Sequence, residues 1–155
     1  MSIDDVRCYL AQWGRDKDVQ EFAVSSATVD LAAQAVGVEG ARIAKTLSFR
    51  GAKELALGNL PVILVVCAGN VRIDNAKFKD KFGLKAKMLD QDEVLPGTGH
   101  GVGGVCPFAV TNPQALIYLD ESLKRFATVF PACGSGNSAI ELTCDELFTY
   151  SKATA

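Results

Sequence analysis

The chain has 155 residues, of which 48% are hydrophobic, and a net charge of −2 from 16 basic and 18 acidic side chains. This length is typical of one domain, and a chain of this size buries enough surface to fold without disulfides or a metal. The composition excludes a disordered or collagen-like protein, and the charge argues against a protein that coats nucleic acid. We therefore predict one domain over residues 1–155.

Cysteine usage and the absence of an export signal indicate the compartment. The five cysteines form no C-x-x-C pair, so neither a disulfide framework nor a zinc site is predicted. Asp4 and Asp5 stand where a secretory signal would carry basic residues, and the longest apolar run, 60–68, is too short to span a bilayer. These features predict a cytoplasmic protein with no membrane partner, metal or cofactor.

Two amphipathic helices are predicted near the N-terminus. Ser2 and Asp5 form a pair like a capping box, and an apolar helical face follows until Gly14. A second helix is expected to begin near Thr28 and to end at Gly37, because glycine readily takes the left-handed conformation at helix ends.

The next segments predict strands. From Lys45 the apolar period becomes two, which places Lys45, Leu47 and Phe49 on one side of a strand. Residues 60–67 are continuously apolar and predict a strand buried on both faces in the middle of a sheet. A lysine on the apolar side either extends its amine to water or serves as a hydrogen-bond donor in a cleft.

The centre of the chain returns to helical patterns. Asp74 is expected to cap a helix that ends at Gly83, and the alternation over 84–88 predicts a short strand. Asp90 and Glu93 resemble another capping box, and Pro96 with the glycine after it is expected to end that helix quickly.

Strands predominate in the last third. Four short strands are predicted over 105–110, 116–119, 128–133 and 139–142, and Thr143 with Glu146 is expected to cap a terminal helix. Several connections are too short for parallel crossovers. The pattern therefore predicts an α+β-like arrangement within the α/β class, with a mixed sheet and flanking helices.

A glycine-rich segment, 97–107, holds five of the 14 glycines. Such a loop lets backbone N–H groups approach an oxygen-bearing ligand, although a permissive surface loop is the alternative. It lacks the G-K-[ST] ending of a phosphate-binding P-loop, as well as the flanking strand and helix of a dinucleotide fingerprint.

The only histidine, His100, lies in this segment and would have to be the base in any Cys-His or Ser-His pair. We interpret it as an exposed loop residue or a group that lines a ligand site, not as an acid–base catalyst. Cys106 is a thiol candidate whose only identified base is His100.

Four segments, in chain order, carry a family resemblance. Residues 44–49, 71–77, 101–108 and 133–142 resemble the ordered motifs of the YbaK/EbsC family, over a region from about Phe22 to Leu147. That family is related to the editing domain of bacterial prolyl-tRNA synthetases and includes free-standing deacylases of mischarged aminoacyl-tRNA. The resemblance implies a barrel-like mixed sheet surrounded by helices, and deacylation of a mischarged tRNA, with tRNA(Pro) carrying a small amino acid as the expected substrate.

The resemblance also implies site residues. Lys45 matches the family's essential lysine, and Gly103–Pro107 matches its G-x-x-x-P loop. We expect Lys45 to donate hydrogen bonds as an ammonium group, and the N–H groups of Gly103 and Gly104 to stabilise the oxyanion that forms when water attacks the ester. No obvious side-chain base is present, so the substrate's own hydroxyl or side chain is expected to assist. The residues expected to contact substrate are Thr46, His100, Gly101, Val105, Cys106, Pro107, Gly134 and Ser135.

Two departures from the family pattern leave the amino acid open among Cys, Ala, Ser and Thr. Asn70 replaces an Asp that is common before the Arg72–Asp74 segment, and Thr46 follows the lysine where some alanine-specific relatives carry Asn.

A basic segment predicts where tRNA would bind. Residues 77–87 contain five lysines and one aspartate, a net charge of +4, which leaves −6 for the rest of the chain. Lys77, Lys81 and Lys85 are predicted to contact the tRNA, although a solvated surface is the alternative. The expected partners are the acceptor end of an aminoacyl-tRNA and, transiently, prolyl-tRNA synthetase.

Two other functions compete with the deacylase. The same fold could bind a nucleotide or an aminoacyl-tRNA end without hydrolysis, or Cys106 could act as the nucleophile of a thiol hydrolase. The consequences of replacing Lys45 and Cys106 distinguish these functions.

Overall fold

The computed structural model describes residues 3–51 and 61–155, in which we number five α-helices and six β-strands in chain order. The helices are α1 (Ile3–Leu10), α2 (Val29–Val36), α3 (Asn75–Phe82), α4 (Gln91–Thr98) and α5 (Cys144–Ser151). The strands are β1 (Gln20–Glu21), β2 (Ile43–Arg50), β3 (Val62–Ala68), β4 (Ala115–Leu119), β5 (Phe130–Pro131) and β6 (Ser138–Ala139). Ser2 and Leu60, which entered the predictions for the first helix cap and the second strand, lie outside the described residues.

A mixed four-stranded sheet with the order β4–β3–β2–β5 forms the centre of the fold. β3 is antiparallel to β2 and parallel to β4, while β2 is parallel to β5. Every residue of β3 is buried, which confirms its predicted place inside the sheet. The sheet curls into a half barrel, β1 and β6 form a separate antiparallel pair, and the expected mixed, barrel-like fold with flanking helices is confirmed.

Local signals produce the helix ends as predicted. The Thr28 hydroxyl accepts a hydrogen bond from the N–H of Leu31 at 3.2 Å at the start of α2, and Gly37 ends that helix with φ of 75°. The Asp74 carboxylate accepts from Lys77 N at 3.0 Å at the start of α3. Each of these contacts satisfies a backbone donor that has no partner within the helix.

Two predicted strands and one helix end are wrong. Helix α4 continues past Pro96 to Thr98, since proline removes only one hydrogen bond and the turn is retained by Gly99 N bonding to Leu95 O at 2.8 Å. Segment 84–88 forms one bridge, between Met88 and Phe49, and no strand. Segment 105–110 is irregular because it contains a proline, and Ala109 has φ of 54°, which breaks strand geometry.

His100 lies in the core and is not exposed, so its predicted surface position is wrong. Continuation of α4 carries the chain inward, where the Thr98 hydroxyl accepts from His100 N at 3.0 Å. The imidazole Nε2 lies 2.7 Å from the carbonyl oxygen of Phe108, which can only accept, so Nε2 carries the proton. Nδ1 is then an unprotonated nitrogen, which is buried and has no hydrogen-bond partner among the described residues.

Burial of His100 predicts a pH-dependent stability. Burial lowers the pKa of His100 below 6.5, and the hydrogen bond to Phe108 opposes this shift without reversing it. As the pH decreases, the unfolded chain therefore binds a proton at a higher pH than the folded chain does. The contribution of His100 to the free energy of unfolding should be at its maximum above pH 6.5 and should decrease as the pH falls below that value. The limiting slope for one proton is about 1.4 kcal/mol per pH unit.

Urea unfolding between pH 7.5 and 5 measures this effect, with His100→Gln as the comparison. The protein has no second histidine, and Glu93 and Glu146, whose pKa values are lowered, titrate below 4.5. A flat stability profile for the parent, or an equal slope in the variant, would contradict the assignment.

Candidate functional site

A cleft of about 380 Å³ lies along one edge of β2. Its walls come from segments within 26–32, 43–48, 88–94, 102–105 and 130–139. The edge is open in the middle, because β5 pairs with β2 only at Ile43 and Ala44, while Ser48 and Arg50 bond to residues in 87–89. The floor of the cleft is thus a short stretch of β2 that pairs with β3 on one edge and has no strand partner among the described residues on the other.

The main chain of Thr46 faces this cleft. Backbone groups two residues apart in a strand point to the same edge, and the carbonyl of Ser48 accepts there from Leu89 N at 3.1 Å. The pairing with β3 supports the same orientation of Thr46. Val66 lies opposite Thr46, and its carbonyl points away from β2, where it accepts from Asp120 N at 2.8 Å. Thr46 and Val66 therefore do not bond to each other, and the main-chain groups of Thr46 point away from β3. Thr46 therefore presents one N–H donor and one C=O acceptor to a ligand, in addition to its side chain.

Lys45 lines the cleft and is anchored by main-chain oxygens. Its ammonium group donates to Gly69 O at 3.3 Å and to Val71 O at 2.5 Å, in the turn that follows β3. An ammonium group has three N–H donors, so one remains for a ligand after these two contacts. The two carbonyls hold the charge in one place without neutralising it.

The glycine-rich loop contributes Gly103 and Val105 to the cleft wall. Gly103 has φ of 88°, a left-handed conformation that favours glycine. Gly104 is buried, and a Cβ there would lie 2.9 Å from Gly134 O, so this position brings two backbones together. Its N–H donates to Gly101 O at 3.1 Å, which means that the donor predicted at Gly104 is already engaged and only Gly103 of the predicted pair lines the cleft.

The second glycine loop supports this wall from behind. Gly134 packs against Gly104, and the Ser135 hydroxyl bonds to Asn137 Oδ1 and Ser138 Oγ, both at 2.8 Å. Neither Gly134 nor Ser135 lines the cleft, whereas Ser138, which follows them in the same motif, does.

Cys106 and its neighbours lie away from the cleft. The Cys106 thiol is fully buried, and burial raises its pKa to about 12. His100 Nε2 lies 3.5 Å from Sγ but already donates to Phe108, so it cannot accept the thiol proton. Pro107 lines a separate small cavity, and Gly101 is exposed outside the cleft wall.

The cleft offers hydroxyls, backbone groups and one ammonium. Among the described residues that line it, there is no carboxylate, imidazole or thiol. The sequence interpretation did not identify Ser26, Met88, Val102 or Ser138 as lining residues. Met88 and Val102 are 53% and 65% exposed and form an apolar rim of the cleft. No sequence motif identifies them; the signal that finds them is the exposure of large apolar side chains, which requires the fold.

The predicted tRNA-binding lysines divide into two groups. Lys77 and Lys81 line a cavity of about 500 Å³ between α3 and the β3–β4 side of the sheet, together with Arg72 and Tyr118. The Lys81 ammonium lies 5.7 Å from the centre of the Tyr118 ring. Lys85 is exposed and does not line this cavity, whose acidic lining residues are Asp74, Asp120 and Glu121.

Two negative findings concern the described part of the chain, 3–51 and 61–155. Within it, no three His, Cys, Asp or Glu side chains are grouped so that they could hold a metal ion. None of its helices has the length and apolar character needed to cross a bilayer.

Comparison with known proteins connects this geometry to a family. Residues 24–150 match the aminoacyl-tRNA editing domain. The chain is 55% identical to YwhH of Bacillus subtilis (strain 168), described as uncharacterized, over 98% of this chain and 94% of that protein.

Two solved structures share the fold. One, described as a candidate trans-editing enzyme for prolyl-tRNA synthetase, has a TM-score of 0.84 and 31% identity, covering 98% of this chain and 92% of that one. The other, a hypothetical protein APE2540, has a TM-score of 0.76 and 25% identity, covering 94% and 95% of the two chains. With most of its length matched by the family and its fold shared with these structures, the chain belongs to the aminoacyl-tRNA editing domain family.

Proposed function

We propose that this chain, as one editing domain over residues 1–155, is a free-standing deacylase that hydrolyses the ester of a mischarged aminoacyl-tRNA. The observation that carries the proposal is that Lys45, whose ammonium group is held by two carbonyls, lines a cleft beside an open strand edge. The solved relative described as a candidate trans-editing enzyme for prolyl-tRNA synthetase supports tRNA(Pro) as the tRNA and a transient association with that synthetase. We also propose that the protein acts in the cytoplasm.

In the proposed reaction, Lys45 directs its remaining N–H donor at the substrate and positions the ester. Water attacks the ester carbonyl, whose oxygen takes up the negative charge. Collapse of this intermediate breaks the bond between the acyl carbon and the ribose oxygen of the tRNA, which leaves as a hydroxyl with the proton that the attacking water gives up, and the free amino acid is released. The N–H groups of Gly103 and Val105 have no acceptor in the hydrogen bonds of the described residues, and they are the donors proposed for this oxyanion. Because the described lining has no carboxylate or imidazole, a hydroxyl of the substrate takes part in activating water.

The acyl group of the proposed ester is a small amino acid. Apolar side chains of α2 and β5 line part of the cleft, including Val29, Ala32 and Phe130. Such a surface accommodates a short side chain by apolar contact, and the open main chain of Thr46 lies along the same floor.

Replacing Lys45 tests the catalytic site. Lys45→Ala should reduce hydrolysis of mischarged tRNA(Pro) by about 100-fold or more, because a preorganised donor to the reacting groups is lost. The assay measures deacylation of Ala-, Ser-, Thr- and Cys-tRNA(Pro), with the exposed Lys124→Ala as the matched lysine control.

The same panel separates an enzyme from a binding module. Retained tRNA binding with lost hydrolysis in Lys45→Ala supports the deacylase. A parent protein that binds tRNA but hydrolyses none of the esters would instead indicate a binding module.

Replacing Cys106 tests the thiol alternative. Cys106→Ala should retain deacylation per folded molecule, because a fully buried thiol with a pKa of about 12 supplies no thiolate at neutral pH. Native alkylation followed by mass spectrometry should label the exposed Cys8 and leave Cys106 unmodified. Loss of activity in a folded Cys106→Ala protein would revive the thiol mechanism.

The lysine segment predicts a salt-dependent tRNA interaction. The double variant Lys77→Glu with Lys81→Glu should weaken tRNA binding and flatten its dependence on salt, because the variant neutralises fewer phosphates and so releases fewer counterions. Filter binding from 50 to 200 mM salt measures both effects. Lys17→Glu with Lys124→Glu changes the net charge equally at exposed sites outside this cavity, and an equal effect there would refute a local tRNA site.

A further inference from the structure

Ser26 is a buried polar residue in the cleft wall to which the described residues supply no side-chain partner. The residue is 8% exposed and lines the cleft, and its hydroxyl has no hydrogen bond to any residue in 3–51 or 61–155. Buried hydroxyls in folded proteins almost always have a partner, because an unpaired one loses its hydrogen bonds to water on folding. The hydroxyl of Ser26 therefore lowers stability unless something else bonds to it.

The main chain holds Ser26 firmly in this place. Its N–H donates to Gly136 O at 2.6 Å, and the neighbouring Ser25 hydroxyl accepts from Ala27 N at 3.2 Å. Further back, Phe22 exchanges two hydrogen bonds with Asn137, Phe22 N to Asn137 O at 2.7 Å and Asn137 Nδ2 to Phe22 O at 3.1 Å. The missing partner is thus not explained by a loosely held segment.

The surroundings of Ser26 place it where the two glycine loops meet the cleft. A Cβ added at Gly103 or at Gly136 would lie 3.5 Å from the Cβ of Ala27, so this segment lies between the two loops. The cleft-lining residues that follow in the chain are Ala27, Thr28, Val29 and Ala32, of which only Thr28 is polar, and its hydroxyl already accepts from Leu31 N. An alanine would satisfy the packing at position 26, whereas a serine adds only a hydrogen-bonding group.

We propose that Ser26 is a substrate-contacting residue, whose hydroxyl bonds to a hydroxyl or ammonium group at the aminoacyl end of the ester. This inference rests on the proposed deacylase function. A serine hydroxyl both donates and accepts, and it turns about a single side-chain bond, so it can meet a group inside the cleft without backbone movement. The bonding group belongs either to the amino-acid side chain or to the part that all aminoacyl esters share.

Comparing the variants Ser26→Ala and Ser138→Ala in stability and deacylation tests this proposal. Both serines line the cleft, but the Ser138 hydroxyl accepts from Cys133 N at 3.2 Å and bonds to Ser135 at 2.8 Å. We expect Ser26→Ala to leave the urea midpoint unchanged or raised and to lower kcat/KM for deacylation of Ser-tRNA(Pro) about tenfold, the effect of one hydrogen bond. Ser138→Ala should lower the midpoint, because it removes satisfied hydrogen bonds.

Comparing esters identifies the group that Ser26 meets. A loss confined to seryl and threonyl esters assigns the contact to the side-chain hydroxyl, and an equal loss with the alanyl ester assigns it to a shared group. Unchanged kinetics on every ester that the parent hydrolyses would overturn the inference and leave the proposed function intact. A Ser26→Ala midpoint lowered as far as that of Ser138→Ala would also overturn it.

A binding measurement keeps the two proposals separate. Titration with 3′-seryl-amino-3′-deoxyadenosine, whose amide resists hydrolysis, should show weaker binding to Ser26→Ala than to the parent. A parent that binds this analogue yet hydrolyses no ester contradicts the deacylase alone. Equal binding by parent and variant contradicts the role of Ser26.

Discussion

The interrupted pairing of β2 is the constraint on which the site depends. One edge of β2 bonds to β3 along its whole length, while the other edge has partners only near its two ends. The edge paired with β3 holds the strand in the sheet, and the gap on the other edge leaves the main chain of Thr46 facing a cleft. A strand edge of this kind supplies hydrogen-bonding groups whose positions are fixed by the sheet and not by flexible side chains.

Close approaches between backbones at glycines fix the positions of the other parts of the site. Gly69 supplies one of the carbonyls that hold Lys45, and a Cβ on it would collide with the carbonyl oxygen of Gly40. Gly104 meets Gly134 in the same way on the opposite side. The glycines therefore bring separate loops within contact distance, and the lysine acceptor and the cleft wall are placed by that contact. Of the glycines predicted to act directly, Gly104 has this structural role, since its N–H is already bonded to Gly101.

The buried His100 shows why the chemistry must come from elsewhere. Its ring is held in the core by Phe108, and the adjacent Cys106 thiol has a pKa of about 12 because of burial. By residue type, the imidazole and the thiol are the most reactive groups of the glycine-rich segment. Both are buried and are part of the protein interior. The described residues at the cleft supply an ammonium group, hydroxyls and backbone amides, a set suited to orienting an ester and stabilising charge.

Local patterns in the sequence by themselves determined most helix ends, the buried strand β3 and the side of β2 on which Lys45 lies, because caps and periodicity depend on residues within a few positions of each other. The four motifs also identified the family through Lys45 and the glycine-rich loop. Only the tertiary structure decided that His100 is buried, that Gly104 has no free N–H and that the Ser26 hydroxyl has no partner in the part of the chain that the structure describes. Each of those outcomes depends on which backbone or side-chain group comes to lie next to the residue. For Ser26 the contacting main chain is at Gly136, 110 positions away, a distance over which no local pattern carries information.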